Sequence, residues 1–389
     1  FSEAHNATAD VEATARCFFE LIRTGQFSVE ALAAKPDYLE RFKVVNPHPI
    51  EKIGLKHVNL KKASDKISEL KTESVKFDQK SPLSRDLEAA PFAHLHNHSQ
   101  FSILQSTTSV ADLVKSAADM HMPAVALTDH ANMMGAFHFV KAIQKHNQNS
   151  EHQLKGILGC EFQVCENHTD KSFKDNGYQI VLLAKNKIGY KNLSKMSSIG
   201  YTDGFYYVPR IDRSVIEQYK EGIIVLTGNL YGEVPSKLLN VGEHQAEEAL
   251  LWWKKQFGDD LYIELMRHGQ EDEDRVNKSL IDFSLKHQVK LVATNNTYYT
   301  SKDNANAHDI LLCVKDGEKQ QTPIGRGRGF RYGLDNQEYY FKSPDEMKQL
   351  FADIPEAILN ISELLDKIEP YELARNVLLP KFEIPENFV

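Results

Sequence analysis

Short runs of apolar and β-branched residues recur along the chain from about residue 91, and amphipathic helical patterns separate them. Seven runs predict strands over Phe92–His96, Ala124–Thr128, Gly156–Phe162, Tyr178–Ala184, Ile223–Thr227, Leu261–Met266 and Lys290–Thr294. The patterns between them predict helices over Val110–His121, Met134–His146, Ile188–Ile199, Glu243–Phe257 and Asp272–His287. Strands that alternate with helices are typical of a parallel sheet. We therefore predict an α/β domain whose sheet closes, or nearly closes, into a barrel.

The pattern before residue 91 is different. An amphipathic helix that ends near Gly25 is predicted by the 3.6-residue spacing of Val11, Ala15, Phe18, Phe19 and Ile22. One such helix cannot bury its own apolar face, so we expect most of its domain to lie outside this chain. A run of mixed charge from Lys52 to Lys80 predicts a connector over residues 26–90 with one or two solvated helices.

Composition narrows the classes of function. Hydrophobic residues make up 41% of the 389 residues and charged residues 26%, as in an ordinary globular protein. The net charge of -8 disfavours an isolated module that holds nucleic acid by bulk charge. No apolar run approaches the roughly 18 residues of a membrane span, and no signal peptide is visible, so we expect a cytoplasmic protein without a membrane partner. The four cysteines lack CxxC spacing, which fits a reducing compartment.

Histidines and carboxylates gather at the ends of the first three predicted strands: His94, His96 and His98, then Asp129 and His130, then Glu161. The three histidines of the first strand alternate and would share one face. Barrels carry their chemistry at the carboxyl ends of strands, and imidazole and carboxylate groups bind zinc and its neighbours. A single histidine here is more simply a hydrogen-bonded core residue, but the set predicts a site of metal-binding origin.

The motifs around these residues resemble a known family. His96-x-His98-Ser99, Thr128-Asp129-His130 and Gly159-Cys160-Glu161 follow one another at suitable spacing. They resemble the PHP (polymerase and histidinol phosphatase) domain, in the version at the N-terminus of bacterial DNA polymerase III alpha subunits. The resemblance covers about residues 91–380. It implies a distorted (β/α)7 TIM-like barrel with a short helical N-terminal extension, and active members hold up to three metal ions and hydrolyse phosphoesters.

The resemblance also assigns roles to residues. It implies metal ligands at His96, His98, His130 and Glu161, with His94 and Asp129 as supporting positions beside them. At other ligand positions the chain carries amides or a phenol: Gln105, Gln179, Asn229, Asn296 and Tyr298.

These departures argue against a full metal cluster. Two divalent ions ~4 Å apart repel by roughly 16 kcal/mol at an effective dielectric of 20, and bridging carboxylates must offset that repulsion. Glu161 is nearly the only anion left at the matching positions. We predict either no ion or a single Zn, Mn or Mg ion on His96, His98 and Glu161. Without metal, we expect the crowded imidazoles to stay largely neutral at pH 7.

The first residues have a resemblance of their own. His5-Asn6-Ala7-Thr8-Ala9-Asp10 resembles the last motif of the DEDDh 3′–5′ exonucleases of the epsilon type. This implies that His5 deprotonates the attacking water and that Asp10 holds one of two metals. Asp10 as a plain helix N-cap is the alternative. The other acidic ligands of that family are absent, so we expect no proofreading by this chain alone.

Two further features have alternative explanations. The basic, aromatic stretch Gly325–Tyr332 is either a mobile solvated loop or a segment that tracks a DNA backbone and stacks a base. Trp252 and Trp253 lie in a helical stretch beside Leu250, Leu251 and Phe257, which favours packing over a ligand platform.

The resemblances together imply an exonuclease remnant at 1–25, a linker at 26–90, a PHP domain at 91–380 and the start of a connection to a polymerase domain at 381–389. The implied parent is a replicative DNA polymerase that uses Mg and works with DNA, a sliding clamp and a clamp loader. We predict an inactive, structural PHP domain. The alternative is a live metal-dependent phosphoesterase or proofreading exonuclease.

Overall fold

The protein is represented by a computed structural model that describes residues 7–26, 37–45, 47, 83–325, 327 and 329–373. The chain divides into two compact units, Phe1–Glu69 and Leu70–Val389. His5, most of the predicted connector and the segment 381–389 lie outside the described residues.

The N-terminal unit contains helices α1 (Ala7–Arg23) and α2 (Asp37–Val45). The first confirms the predicted amphipathic helix. Phe19 stacks on Phe42 with ring centroids 5.2 Å apart, so the two helices bury part of their apolar faces against each other. Asp10 lies in α1, but its side chain is outside the described part of the chain.

The C-terminal unit is built around a curved sheet. Its strands are β1 (Ala124–Leu127), β2 (Lys155–Cys165), β3 (Tyr178–Ala184), β4 (Arg210–Asp212), β5 (Ile223–Leu226), β6 (Leu261–Leu265) and β7 (Lys290–Ala293). The strands run in the order β1-β2-β3-β5-β6-β7, and β4 pairs with β2. Six of the seven predicted strands are confirmed, and β4 was not predicted because it is only three residues long.

Helices surround this sheet. They are α3 (Arg85–Ala89), α4 (Val110–Asp119), α5 (Ala136–Gln148), α6 (Lys187–Thr202), α7 (Arg213–Tyr219), α8 (Glu233–Asn240), α9 (Glu243–Phe257), α10 (Glu271–His287), α11 (Ala305–Asp316), α12 (Pro344–Leu350) and α13 (Glu356–Asp366). Side chains cap several of their N-termini; Asn186, for example, accepts from Ile188 N and Gly189 N at the start of α6. The predicted α/β class with a distorted barrel is confirmed.

The prediction of an all-parallel sheet is wrong at β3. This strand pairs antiparallel with both β2 and β5, whereas the other pairs are parallel. The cause lies in the connection: residues 166–177 contain no helix. A parallel return requires a crossover, usually a helix, and without one the chain folds back beside β2 in the opposite direction.

The first predicted strand, Phe92–His96, forms only isolated bridges. His94 bridges Val125 on one side, and Asn97 bridges Thr297 on the other. Side chains replace part of the ladder, because Asn97 Nδ2 donates to the Ala126 carbonyl and Thr128 Oγ1 accepts from Asn97 N. The segment thus joins β1 to the chain after β7 and closes the ring of strands.

Two features singled out in the sequence have clear structural roles. Trp253 is buried, and its indole donates to Glu233 Oε2 at 2.9 Å, which confirms the packing interpretation for this residue. In the stretch after Gly325, Arg331 is buried and its guanidinium makes two bonds to Asp309, of 2.7 and 2.8 Å. Arg331 is therefore an internal anchor of this loop.

Candidate metal centre

Glu161 lies at the centre of a buried group of imidazoles. Its Oε2 is 2.9 Å from His96 Nε2 and 3.7 Å from His98 Nε2, and its Oε1 is 2.6 Å from His130 Nδ1. The backbone sets this geometry, since Glu161 N donates to Asp129 O and Ala131 N donates to Glu161 O. The ladder between β1 and β2 therefore continues past the end of β1 and places His130 beside Glu161.

A second carboxylate, missed in the sequence, completes the cluster. Glu264 in β6 is buried, and its Oε1 accepts from His96 Nδ1 at 2.8 Å. Its Oε2 also accepts from Gly228 N at 3.0 Å. The signal was present in the sequence as one acidic residue inside the apolar run Leu261–Met266. We call His96, His98, His130, Glu161 and Glu264 the charged wall.

The charged wall changes the protonation of its histidines. Burial alone lowers the pKa of His96, but Glu264 and Glu161, one on each ring nitrogen, outweigh burial and raise that pKa to about 10. Burial holds the pKa of His98 well below its usual value, and the neighbouring His130 lowers it further. The prediction that the crowded imidazoles stay largely neutral is therefore wrong for His96, because it did not include Glu264.

His98 is held by stacking and by polar contacts. Its ring stacks between His130, with centroids 4.2 Å apart, and Tyr298, at 4.5 Å. Its Nε2 donates to Asn296 Oδ1 at 2.9 Å, and its Nδ1 lies 3.2 Å from the Ser102 hydroxyl. These contacts fix the ring with its Nε2 edge toward Glu161.

The two supporting positions are used differently. Asp129 accepts from Ser99 N, Ser99 Oγ and Ser102 Oγ at 2.7–2.8 Å, so it holds the loop that follows His98. Burial raises the pKa of its carboxyl. His94 donates from Nε2 to the Lys342 carbonyl at 2.8 Å and packs against Phe341. Burial lowers the pKa of His94 to about 4, so it is a neutral packing residue.

Neutral polar groups lie next to His130 around a cavity, together with Asp272, Glu273 and Asp335. This cavity of about 430 Å³ is lined by His130 and by all five departures from the family pattern, Gln105, Gln179, Asn229, Asn296 and Tyr298. We call these five residues the amide wall. Burial raises the pKa of Tyr298 well above its usual value, so its phenol adds no negative charge. Positions far apart in the sequence thus meet around one cavity.

The donor set fits one metal ion. One ligand atom from each of His96, His98 and Glu161 lies within 4.8 Å of the others, and all three residues are buried. Two imidazoles and a carboxylate are the protein ligands of many zinc sites. Glu264 on the far nitrogen of His96 is the carboxylate partner that commonly orients a metal-ligating histidine. Binding would displace the second proton of His96.

The amide wall does not fit further ions. Its side chains offer neutral oxygens in place of the carboxylates that offset repulsion between neighbouring cations. The Oε1 atom of Gln179 is buried without a hydrogen-bond partner among the described residues. When bound, a single ion at the charged wall would supply a Lewis acid, while Glu161 and Glu264 would balance its charge.

Other expectations from the sequence are not tested by this site. The exonuclease motif stays a prediction, because His5 and the Asp10 side chain lie outside the described residues. Across the part of the chain that is described, no helix combines the length and apolar character of a membrane span.

Comparisons with known proteins agree with the fold. The PHP domain family matches residues 94–268. The DNA polymerase III subunit alpha of Borreliella burgdorferi is 36% identical over 302 residues, which is 76% of this chain and 25% of that protein. The corresponding subunit of Campylobacter jejuni is 36% identical over 310 residues, with the same coverage. The chain therefore spans about a quarter of the length of these relatives.

Among solved structures, an amidohydrolase from Chromobacterium violaceum is 13% identical, with a TM-score of 0.37 over 53% of this chain and 87% of that chain. The sequence match carries the assignment. Residues 94–268 of this chain form a PHP domain.

Proposed function

We propose that this chain is the PHP region of a bacterial replicative DNA polymerase III alpha subunit, and that its PHP domain is a structural unit without phosphoesterase activity. The relatives at 36% identity carry that name and support the first part. The parent would then be a nucleotidyltransferase that copies a DNA template with Mg in the cytoplasm. Its partners would be its own polymerase domain, DNA, a sliding clamp and a clamp loader.

One observation carries the second part: the amide wall adjoins the charged wall, because Asn296 accepts from His98 and Tyr298 stacks on the same ring. Hydrolysis by several ions needs each ion held and its charge balanced. The charged wall has donors for one ion, and none of the five amide-wall residues is a carboxylate. Asp272, Glu273 and Asp335 also line the cavity, but among the described residues only His96, His98 and Glu161 group closely enough to hold an ion. A site with one ion retains binding chemistry but lacks the paired cations that would stabilise an attacking and a leaving oxygen.

Metal content and turnover test this proposal together. The full chain is incubated with zinc or manganese and dialysed, its metal is counted by mass spectrometry, and hydrolysis of p-nitrophenyl phosphate is followed. We expect at most one ion per chain and no turnover. Two or three tightly held ions together with turnover would establish the phosphoesterase alternative instead. A Glu161→Gln variant, expected to bind no ion, is the control for adventitious metal.

A second proposal concerns the N-terminal residues: His5 and Asp10 belong to a DEDDh exonuclease whose remaining ligands lie upstream. The helical spacing of α1 supports it, because the helix begins at Ala7 and carries Asp10 in its first turn. The test is proofreading by the complete parent protein with His5→Ala. We expect loss of 3′–5′ exonuclease activity while DNA synthesis is retained; unchanged exonuclease activity would refute the assignment.

A further inference from the structure

Helix α6 has an unusual charge distribution. Its sixteen residues include Lys187, Lys191 and Lys195 and no acidic residue. All three lysines are exposed. Lys187 lies in the first turn, where the helix dipole disfavours a cation, and the helix offers no carboxylate four residues away to pair with any of them. The lysines therefore contribute little to the stability of the helix that carries them.

The three lysines and an aromatic residue share one face. Steps of four residues keep the lysines on the same side of the helix. Tyr201 follows Lys187 by fourteen residues, so around the helix axis it lies about 40° from Lys187 and about 120° from Lys195, beside the line of lysines at the C-terminal end of the helix. The Tyr201 ring is 46% exposed. The face thus runs from a line of positive charge to an aromatic ring.

More exposed rings continue from this end. Tyr201 stacks with Phe205, with centroids 6.4 Å apart and planes 19° apart. Phe205 is 48% exposed and Tyr207 is 63% exposed. The Lys174 ammonium lies 4.9 Å from the centroid of the Tyr207 ring. The lysine–aromatic surface consists of these residues: Lys174, Lys187, Lys191, Lys195, Tyr201, Phe205 and Tyr207.

A buried arginine holds the aromatic end in place. Arg210 is almost fully buried, and its guanidinium donates to backbone carbonyls of both neighbouring loops, those of Gly204, His168, Asp170 and Asp175. A Cβ at Gly204 would lie 1.9 Å from the Arg210 carbonyl oxygen, so the backbone can approach this closely only at a glycine. The backbone that carries the rings is therefore held in place before any ligand arrives, which lowers the entropy cost of binding.

We propose that the lysine–aromatic surface binds single-stranded nucleic acid, with the lysines along the phosphates and the rings against unpaired bases. Lysines neutralise phosphates without regard to sequence, and any base can stack on an exposed ring. A duplex hides its base faces, and an acidic peptide has no regular flat groups. This surface is separate from the metal centre and goes beyond the proposed function, which gives the PHP domain no contact with a nucleic acid.

The net charge of the chain agrees with a local site. At -8 the chain as a whole repels a polyanion. Binding must therefore come from this patch, and it will be sensitive to salt. The salt dependence therefore distinguishes the contribution of the lysines to binding from that of the rings.

Fluorescence anisotropy with labelled oligothymidylate over a series of salt concentrations tests the lysines in the full chain. For Lys187→Ala/Lys191→Ala/Lys195→Ala, we expect weaker binding and a salt dependence whose logarithmic slope is smaller by about 2, from ~0.7 per lost phosphate contact. The matched control is Lys255→Ala/Lys278→Ala/Lys319→Ala, which removes the same charge from exposed positions on other elements. Equal losses in the two triple variants, or no binding by the native chain at low salt, would overturn the proposal.

The rings are tested by Tyr201→Ala/Phe205→Ala. We expect about tenfold weaker binding, because stacking of a base on an aromatic ring stabilises the complex whatever the base is. The slope of the salt dependence should be unchanged. Thermal melting of each variant verifies the fold, and because the replaced side chains are exposed, the melting temperatures should agree closely. Polyglutamate is added as a competitor: if it displaces oligothymidylate at equal charge concentration, the surface is an acidic-peptide site and the proposal is wrong.

Discussion

The charged wall and the amide wall adjoin each other, joined by the bond from His98 to Asn296, but achieve stability in opposite ways. In the charged wall, the carboxylates of Glu161 and Glu264 flank His96, so charge is balanced by charge. The amide wall contains only groups that are neutral in water and need no counterion. A metal site that simply lost its ion would leave carboxylates buried and unpaired, at high cost. Here His96, whose pKa is raised to about 10, supplies positive charge between the two carboxylates without a metal.

The substitution Glu161→Gln is expected to have the largest effect on the charged wall. The change removes the anion that contacts three imidazoles and leaves His96 with one carboxylate. We expect the free energy of unfolding to fall by about 3–5 kcal/mol, as for other buried pairs that lose one partner. Urea denaturation measures it, with exposed Glu248→Gln as the control. A loss below about 1 kcal/mol would mean that the charged wall is not a buried ion-pair network.

The second-largest effect is expected when metal-binding side chains replace three residues of the amide wall. Gln179→His/Asn229→Asp/Asn296→Asp supplies an imidazole and two carboxylates at positions around the cavity. We expect a second ion to bind and to stabilise the variant by about 2.7 kcal/mol at an ion concentration one hundred times the Kd.

Thermal melts with and without manganese, and metal counts by mass spectrometry, measure this change. Without metal the variant should be less stable than the native chain, because its new carboxylates are unpaired. Equal metal counts for the variant and the native chain would show that charge at these positions does not limit ion binding.

A smaller effect is expected for the residue that links the walls. Asn296 accepts from His98 Nε2 and has a φ of 40°, a conformation that asparagine tolerates better than alanine. We expect Asn296→Ala to cost about 1–2 kcal/mol. Asn296→Gly keeps the backbone freedom and loses only the hydrogen bond, so it should cost less. Chemical denaturation of the pair separates the two terms, and a larger loss for the glycine variant would contradict the backbone argument.

The smallest effect is expected at Gln105. Its backbone carbonyl accepts from His308 Nε2, but its side chain only lines the cavity. Gln105→Ala should therefore change the free energy of unfolding by no more than about 0.5 kcal/mol. Urea denaturation of Gln105→Ala and of Glu161→Gln under the same conditions compares the stability that each wall contributes. A change above 1 kcal/mol would show that this amide has a structural role.

The sequence was a good guide to elements whose cause is local. Apolar runs located six strands, and the helix over Glu243–Phe257 has the predicted bounds. It was a poor guide to the direction of β3, which is antiparallel to its neighbours. The direction depends on whether the connection before the strand contains a helix. The apolar run Tyr178–Ala184 has the same pattern in a parallel and in an antiparallel strand. The Phe92–His96 run had a strand pattern, but Asn97 and Thr128 side chains replaced its ladder bonds.

The residues of the site that belong to sequence motifs could be predicted, whereas a residue that stands outside any motif could not. His96, His98 and Glu161 stood in motifs and are brought together in a group that could hold a metal ion. Glu264 lies alone in a core strand, about a hundred residues after Glu161, and nothing local separates it from other strand positions. Missing it led to the wrong protonation of His96, since two carboxylates decide that pKa. The same limit applies to the cavity, whose lining comes from helices, a strand and loops that meet only in three dimensions.

The closure of the barrel has a consequence for how the chain acquires its structure. His98 N donates to Thr297 O, and Thr297 N donates to His96 O, so the two ligand histidines are seated by a residue about two hundred positions later in synthesis. Contacts of such long sequence separation form late, after the intervening strands have assembled. On the ribosome, the two histidines therefore gain these hydrogen bonds only after Thr297 has emerged.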